Sequence, residues 1–116
     1  MIQHVSLEVR EGDADADAAF WALLGFTEVE PPGTLGEVSR WLQRGTDQIH
    51  LLLTERPVAP PAGHVAIVAT DHAATLARLR DAGHEVEPHP EHWGAPRAFV
   101  RSPAGHLVEV MARPPV

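Results

Sequence analysis

The feature that most constrains this chain is that its sequence runs through one pattern twice. Gln3-His4-Val5-Ser6-Leu7 returns as Gly63-His64-Val65-Ala66-Ile67, and Gly25-Phe26-Thr27-Glu28-Val29-Glu30-Pro31 returns as Gly83-His84-Glu85-Val86-Glu87-Pro88. Ile49-His50-Leu51 holds in the first half the place that Val108-Glu109-Val110 holds in the second. Internal repetition marks supersecondary units that bury their apolar faces on one another. A half of about 55 residues buries too little surface to be stable alone, so the halves should pack together or on those of a partner chain.

The element order within each half follows from period and punctuation. Ile2 to Val9 alternates, with Val5, Leu7 and Val9 opposite His4, Ser6 and Glu8, as a half-buried strand does. Asp13 to Leu24 opens with acidic residues suited to the positive end of a helix and closes at Gly25. Strands are predicted at Phe26 to Val29, Glu37 to Gln43 and Gln48 to Thr54, the last two joined through Arg44-Gly45-Thr46-Asp47. The second half predicts a strand over His64 to Val68, a helix over Asp71 to Ala82 and strands over His84 to Glu87, Ala95 to Arg101 and His106 to Met111. The reading is an α+β fold of two tandem βαβββ modules. They form a curved mixed sheet around a metal or ligand cavity, with helices on the outer face. One domain spans residues 1–116, with module one at 1–56, a proline-rich linker at 57–62 and module two at 63–116.

Composition narrows the chemistry. The 116 residues carry sixteen acidic and nine basic side chains, for a formal charge of −7, and the arginines that supply all the positive charge are scattered. No cationic stripe suited to nucleic acid is present, and no apolar run or basic-then-apolar leader points to a membrane or to export. The expected setting is cytoplasmic. Without cysteine there is no thiolate ligand or nucleophile, so a metal would need His, Asp, Glu or backbone donors. Eight histidines supply them, and tyrosine is absent.

The repeat pairs His4 with His64 and His50 with Glu109. Each is flanked by apolar neighbours that point the opposite way along a strand, so one sheet face serves helices and the other is free for chemistry. Three imidazoles and a carboxylate on a concave face suit a divalent ion such as Zn, Ni, Co, Mn or Fe with positions open to substrate. A lone histidine on a half-buried strand is ordinarily structural; four polar residues related by a repeat favour a metal site.

At these residues the chain resembles the vicinal oxygen chelate superfamily, which includes glyoxalase I, bleomycin resistance proteins, fosfomycin resistance transferases, methylmalonyl-CoA epimerase and extradiol dioxygenases. The resemblance runs through QHVSLEV, FWALLGF, DQIHLLL, GHVAIVATD, LRDAGHEVE and RSPAGHLVEVM. It implies paired βαβββ units with a metal in the sheet cavity, commonly in a homodimer. The His, Glu, His, Glu ligands of bacterial glyoxalase I fall on His4, His50, His64 and Glu109. His50 stands where those enzymes carry Glu, which leaves Glu109 as the one carboxylate able to act as a catalytic base. Fosfomycin transferases and extradiol dioxygenases also use tyrosine, and bleomycin-binding members lack the metal ligands. The implied function is a glyoxalase-like, divalent-metal-dependent lyase or isomerase acting on a small substrate with vicinal oxygens. The alternatives are an antibiotic- or aromatic-ligand-binding protein without catalysis, or a small extradiol-type dioxygenase.

Four further residues are candidates for substrate contact. Trp41 shares a strand face with Ser39 and Gln43 and either lines a cavity or joins the core. Trp93 lies in the loop His89 to Gly94 and suits a lid or a binding contact. Arg97 and Phe99 share a strand face, where Arg97 either meets an anionic substrate or is solvated. His72, His84, His89, His92 and His106 have no repeat partner in ligand position and are expected on the surface or in loops.

Overall fold

A computed structural model describes residues 1–115. The chain divides into two compact units, the first Met1–Ala59 and the second from Pro60 onward. The first unit runs β1 (His4–Val9), α1 (Ala14–Leu23), β2 (Thr27–Val29), β3 (Ser39–Arg44) and β4 (Asp47–Leu53). The second repeats the order as β5 (His64–Val68), α2 (His72–Asp81), β6 (Val86–His89), β7 (Arg97–Arg101) and β8 (Leu107–Met111). Each unit holds a four-stranded mixed sheet, ordered β1-β4-β3-β2 and β5-β8-β7-β6. In each, the first strand runs parallel to the last and the other pairs are antiparallel. The fold is therefore α+β and the tandem βαβββ order is present.

Alternation divides every strand between a core and an open face. In the first unit Val9, Leu42, Ile49 and Leu51 are buried together with Phe20 and Trp21 of α1. The Trp21 ring meets Phe20 and Phe26 edge-on at 5.5 and 5.4 Å, a geometry that aromatic quadrupoles favour. In the second, Leu76 and Leu79 of α2 are buried along with Ile67, Ala98, Val100, Val108 and Val110. Both helices stop at a glycine in the left-handed region, Gly25 at φ 92° and Gly83 at φ 91°. That conformation lets the chain reverse toward the next strand without a Cβ clash.

Several boundaries differ from the sequence expectation. The strand predicted from Glu37 begins at Ser39, because Leu35–Glu37 forms a 3-10 turn and the Ser39 hydroxyl donates to the Leu35 carbonyl at 2.7 Å. The strand predicted at His84 to Glu87 lies at Val86–His89. The His84 amide is still bonded to the Leu79 carbonyl of α2, at 3.0 Å, so the extended segment starts two residues later. This places His89 in β6, paired with Arg97, and not in a loop. Pro88 is tolerated because β6 is an edge strand. His106, expected at the surface, is 4% exposed, its amide donating to Ser102 Oγ at 3.2 Å in the turn before β8.

Candidate functional site

The registers convert the repeat into matching cross-strand rows. In the second unit one row is Ala66, Glu109, Phe99 and Glu87, flanked by His64 with Leu107 and Arg101 on one side and by Val68, Met111, Arg97 and His89 on the other. In the first unit the matching central row is Ser6, His50, Trp41 and Val29, flanked by His4, Gln48, Gln43 and Thr27, and by Glu8, Leu52 and Ser39. His4 and His64 thus hold equivalent positions, as do His50 and Glu109, and Trp41 stands where Phe99 stands. The strand-borne candidate residues of each unit share that unit's open face because the side-chain period along a strand is two.

In the second unit Glu109 is the centre of a charged cluster, with its side chain 7% exposed. Arg97 donates from Nε to Glu109 Oε2 at 2.9 Å and from Nη1 to the Pro90 carbonyl at 3.0 Å. This diagonal contact across β7 and β8 is within reach of a long side chain. The guanidinium also lies over the Phe99 and Trp93 rings, 5.2 and 5.9 Å from their centroids. Trp93 is fixed in turn, donating from Nε1 to the Arg113 carbonyl at 2.9 Å while Arg113 Nη2 donates to the Trp93 and Gly94 carbonyls. Phe99 is met edge-on by His64 at 5.0 Å and by His89 at 4.5 Å. His89 is therefore a member of this face that the sequence reading placed in a loop. Its signal was the alternation of Glu85, Glu87 and His89.

His64 sets the strongest chemical condition. Its Nδ1 faces the Ala62 carbonyl at 3.0 Å, and a carbonyl only accepts, so Nδ1 carries a proton. Nε2 then faces Glu109 Oε1 at 3.2 Å. An imidazole lone pair and a carboxylate oxygen repel at that distance unless Nε2 is also protonated or the two share a cation. Two donors bound to one ion at about 2.0–2.2 Å stand roughly 3.0 Å apart at right angles and roughly 3.4 Å apart in a tetrahedron. The observed separation lies between these values and equally suits an imidazolium–carboxylate hydrogen bond, so the pair accommodates either a divalent ion or a second ring proton. A ligating histidine ordinarily donates its other ring N–H to an acceptor, as His64 does here.

The first unit is built on ring stacking. His50 lies between His4 and Trp41, with centroids 4.0 Å away on each side and interplanar angles of 14° and 6°. Gln48 Oε1 accepts from His50 Nε2 at 2.8 Å, and the Gln48 amide donates to Gln43 Oε1, also at 2.8 Å. The indole of Trp41 donates to Ser39 Oγ at 3.2 Å. Burial, and then the neighbouring His4, hold the His50 imidazole below its usual pKa, in the neutral form. His4 Nδ1 donates to Gln3 Oε1 at 2.7 Å, which leaves Nε2 as its lone-pair side, the same tautomer as His64. An imidazole binds a metal in its own ring plane, and two stacked, nearly parallel planes do not meet within a bond length. As arranged, His4 fits the donor role, whereas His50 is engaged through its Nε2 and by rings on both faces. Among the described residues no three His, Asp or Glu side chains are grouped closely enough to form a metal cluster.

A pair of mixed sheets in βαβββ order, each with imidazole or carboxylate side chains on its first and last strands, defines a class of proteins built on tandem modules. The chain belongs to the Glyoxalase/Bleomycin resistance protein/Dioxygenase superfamily, whose family model matches residues 1–110. Among solved structures it is similar to a glyoxalase-family protein from Bacillus anthracis, with 23% identity, a TM-score of 0.85 and coverage of 96% of this chain and 93% of that one. Lactoylglutathione lyase from Agrobacterium tumefaciens gives 22% identity and a TM-score of 0.72, covering 96% and 92%. A genomically encoded fosfomycin resistance protein from Listeria monocytogenes gives 17% and 0.78, covering 98% and 91%. These likenesses establish the fold. A search of curated proteins finds no match. No helix among the described residues is long and apolar enough to cross a membrane.

Proposed function

We propose that this protein is a glyoxalase-like metalloprotein, a divalent-metal-dependent lyase or isomerase acting on a small substrate with vicinal oxygens. The observation that carries the reading is the His64 Nε2 and Glu109 Oε1 pair, which face each other at the spacing of two ligands on one ion. His64 and Glu109 are the proposed core of the donor set, with His4 in the equivalent position of the first unit and His50 as a further donor once its ring turns. When bound, the ion would polarise the substrate oxygens and stabilise the negative charge that develops on them.

The chain's own residues supply the rest. Glu109 is also the proposed proton acceptor, and Arg97, donating to its Oε2, holds the carboxylate in place. Phe99 and Trp93 give the substrate an apolar wall, and Trp41 is the proposed contact on the first unit's face.

The test is elemental analysis of untagged protein with thermal melts before and after chelation and after add-back, since an ion bound to the native state raises apparent stability. The expected result is about one ion of Zn, Ni, Co, Mn or Fe per chain and a melt that falls on chelation. Turnover of methylglyoxal–thiol adducts should then be lost in Glu109→Gln. No metal, with no response to any added ion, would overturn the reading.

The Arg97–Glu109 ion pair favours a second reading, because the carboxylate already has a counter-charge. In it the protein sequesters an antibiotic or another aromatic compound without catalysis, using Trp41 and Trp93. Ligand quenching of Trp fluorescence that is equal with and without metal would select it. Turnover of catechols by the iron-loaded protein would select the dioxygenase.

A further inference from the structure

Arg97 breaks the repeat. Its counterpart in the first unit is Ser39, so the sheet itself does not require a guanidinium at this row. The side chain is 13% exposed, and its Nε and Nη1 are spent on Glu109 and on the Pro90 carbonyl. Nη2 meets no acceptor among the described residues, although the group is held by two hydrogen bonds and lies over two aromatic rings. The second arginine on this strand face makes a useful contrast. Arg101 directs Nη1 to the Gly105 carbonyl and Nη2 to the Pro61 carbonyl, so both of its terminal nitrogens are occupied.

A fixed, largely desolvated guanidinium with an unused terminal nitrogen is a receptor for an oxyanion, because ordering it has already been achieved by the protein. Resting on the metalloprotein reading above, we propose that Arg97 selects the substrate class: small vicinal-oxygen compounds that also carry a carboxylate. The carboxylate accepts from Nη2 of the guanidinium that overlies the Trp93 and Phe99 rings, while the Nε contact keeps Glu109 in place. The aliphatic part of the substrate then faces the ring surfaces. A cleft of about 520 Å³ beside Phe99, lined also by His64, His89, Glu87 and Leu107, gives room for a substituent on the far side.

The experiment compares lactate with lactamide, which has the same shape and no charge. Binding to the full chain is measured after chelation, so that no metal competes for the carboxylate, by calorimetry and by the ¹⁵N–¹H signal of the Arg97 Nε–H. Lactate should bind about tenfold or more tightly than lactamide, as expected for a charge-assisted contact. The preference should weaken with salt, disappear in Arg97→Gln and survive in part in Arg97→Lys. Should Arg97→Gln fail to fold because Glu109 is left without its partner, the double variant Arg97→Gln/Glu109→Gln removes both charges and is compared with Glu109→Gln. Equal binding of the two probes, a preference that persists without Arg97, or no binding of lactate at about 20 mM, well above a millimolar Kd, would each overturn the proposal. Metal stoichiometry, measured on the same preparations, reports separately on the metalloprotein reading.

Discussion

The two units use one sheet topology to opposite electrostatic ends. In the first, Arg40 of β3 pairs with Asp15 and Glu28, whose side chains are 97% and 49% exposed. These partners hold the Arg40 guanidinium above its usual pKa, chiefly through the Glu28 hydrogen bond. Arg40 alternates with Trp41, so this ion-pair cluster lies on the opposite side of the strand from the ring stack. The centre of that unit's open face carries stacked rings and amides, with one carboxylate, Glu8, in the flanking row. In the second unit Arg97 of β7 lies on the open face itself and pairs with the buried Glu109. The lesson is that a repeat conserves register while a one-residue change in where an arginine falls along a strand moves charge from the outside of a sheet into its site.

The largest test of that contrast is truncation of the central residue in each unit. Glu109→Ala leaves Arg97 largely buried without its partner and should cost about 3 kcal/mol in a urea titration. His50→Ala removes a neutral stacked ring and should cost about 1 kcal/mol. Equal losses would mean that the two centres are electrostatically alike.

Metal response comes next. In His64→Ala the metal-induced rise in melting temperature should require at least tenfold more ion than in the unaltered protein, no less than the loss of an outer-shell partner produces. His4→Ala should behave similarly, and His50→Ala should have the smallest effect of the three. A larger effect at His50 than at His64 would invert the assignment of donors.

A pH titration sharpens the first unit's side. The folded state holds His50 below the ordinary value of 6.5, so the unfolded chain binds more protons as the solution is acidified. The stability this gives is complete above pH 6.5 and falls away as the pH drops from there through the folded-state pKa. In His50→Gln that acid-side loss should shrink in urea titrations across the pH range, and His4→Gln should reduce it in part by removing the neighbouring charge. An unchanged slope in His50→Gln would show that the ring stack imposes no neutral state.

The smallest effect is expected at the exterior cluster. Arg40→Ala should lower stability by about 0.5 kcal/mol, and less in high salt, because its partners are solvated. A loss as large as that of Glu109→Ala would erase the distinction between the exterior and site ion pairs.

Much of this was legible in the letters. Period-two alternation, the glycine stops at Gly25 and Gly83 and the repeat of short motifs are local signals, and they led to the two βαβββ patterns and to the pairing of His4 with His64 and His50 with Glu109. The resemblance to the superfamily rested on the same motifs. Less legible were the 3-10 turn at Leu35–Glu37 and the delayed start of β6, since both depend on which carbonyl a particular amide or hydroxyl reaches. His89 was lost from the site face for that reason.

The sequence alone determined which residues alternate onto one face of each sheet, because a strand's side-chain period is fixed by the backbone. It also determined the chemical inventory, in which imidazole and carboxylate are the only strong side-chain metal donors. Tertiary structure decided the partners. That Arg97 closes on Glu109, that His64 offers Nε2 and not Nδ1, and that His50 is held between two rings follow from strand registers and from carbonyls such as those of Ala62 and Pro90. Alternation specifies a face, but a hydrogen bond requires two atoms within about 3 Å, and only the folded chain brings them there.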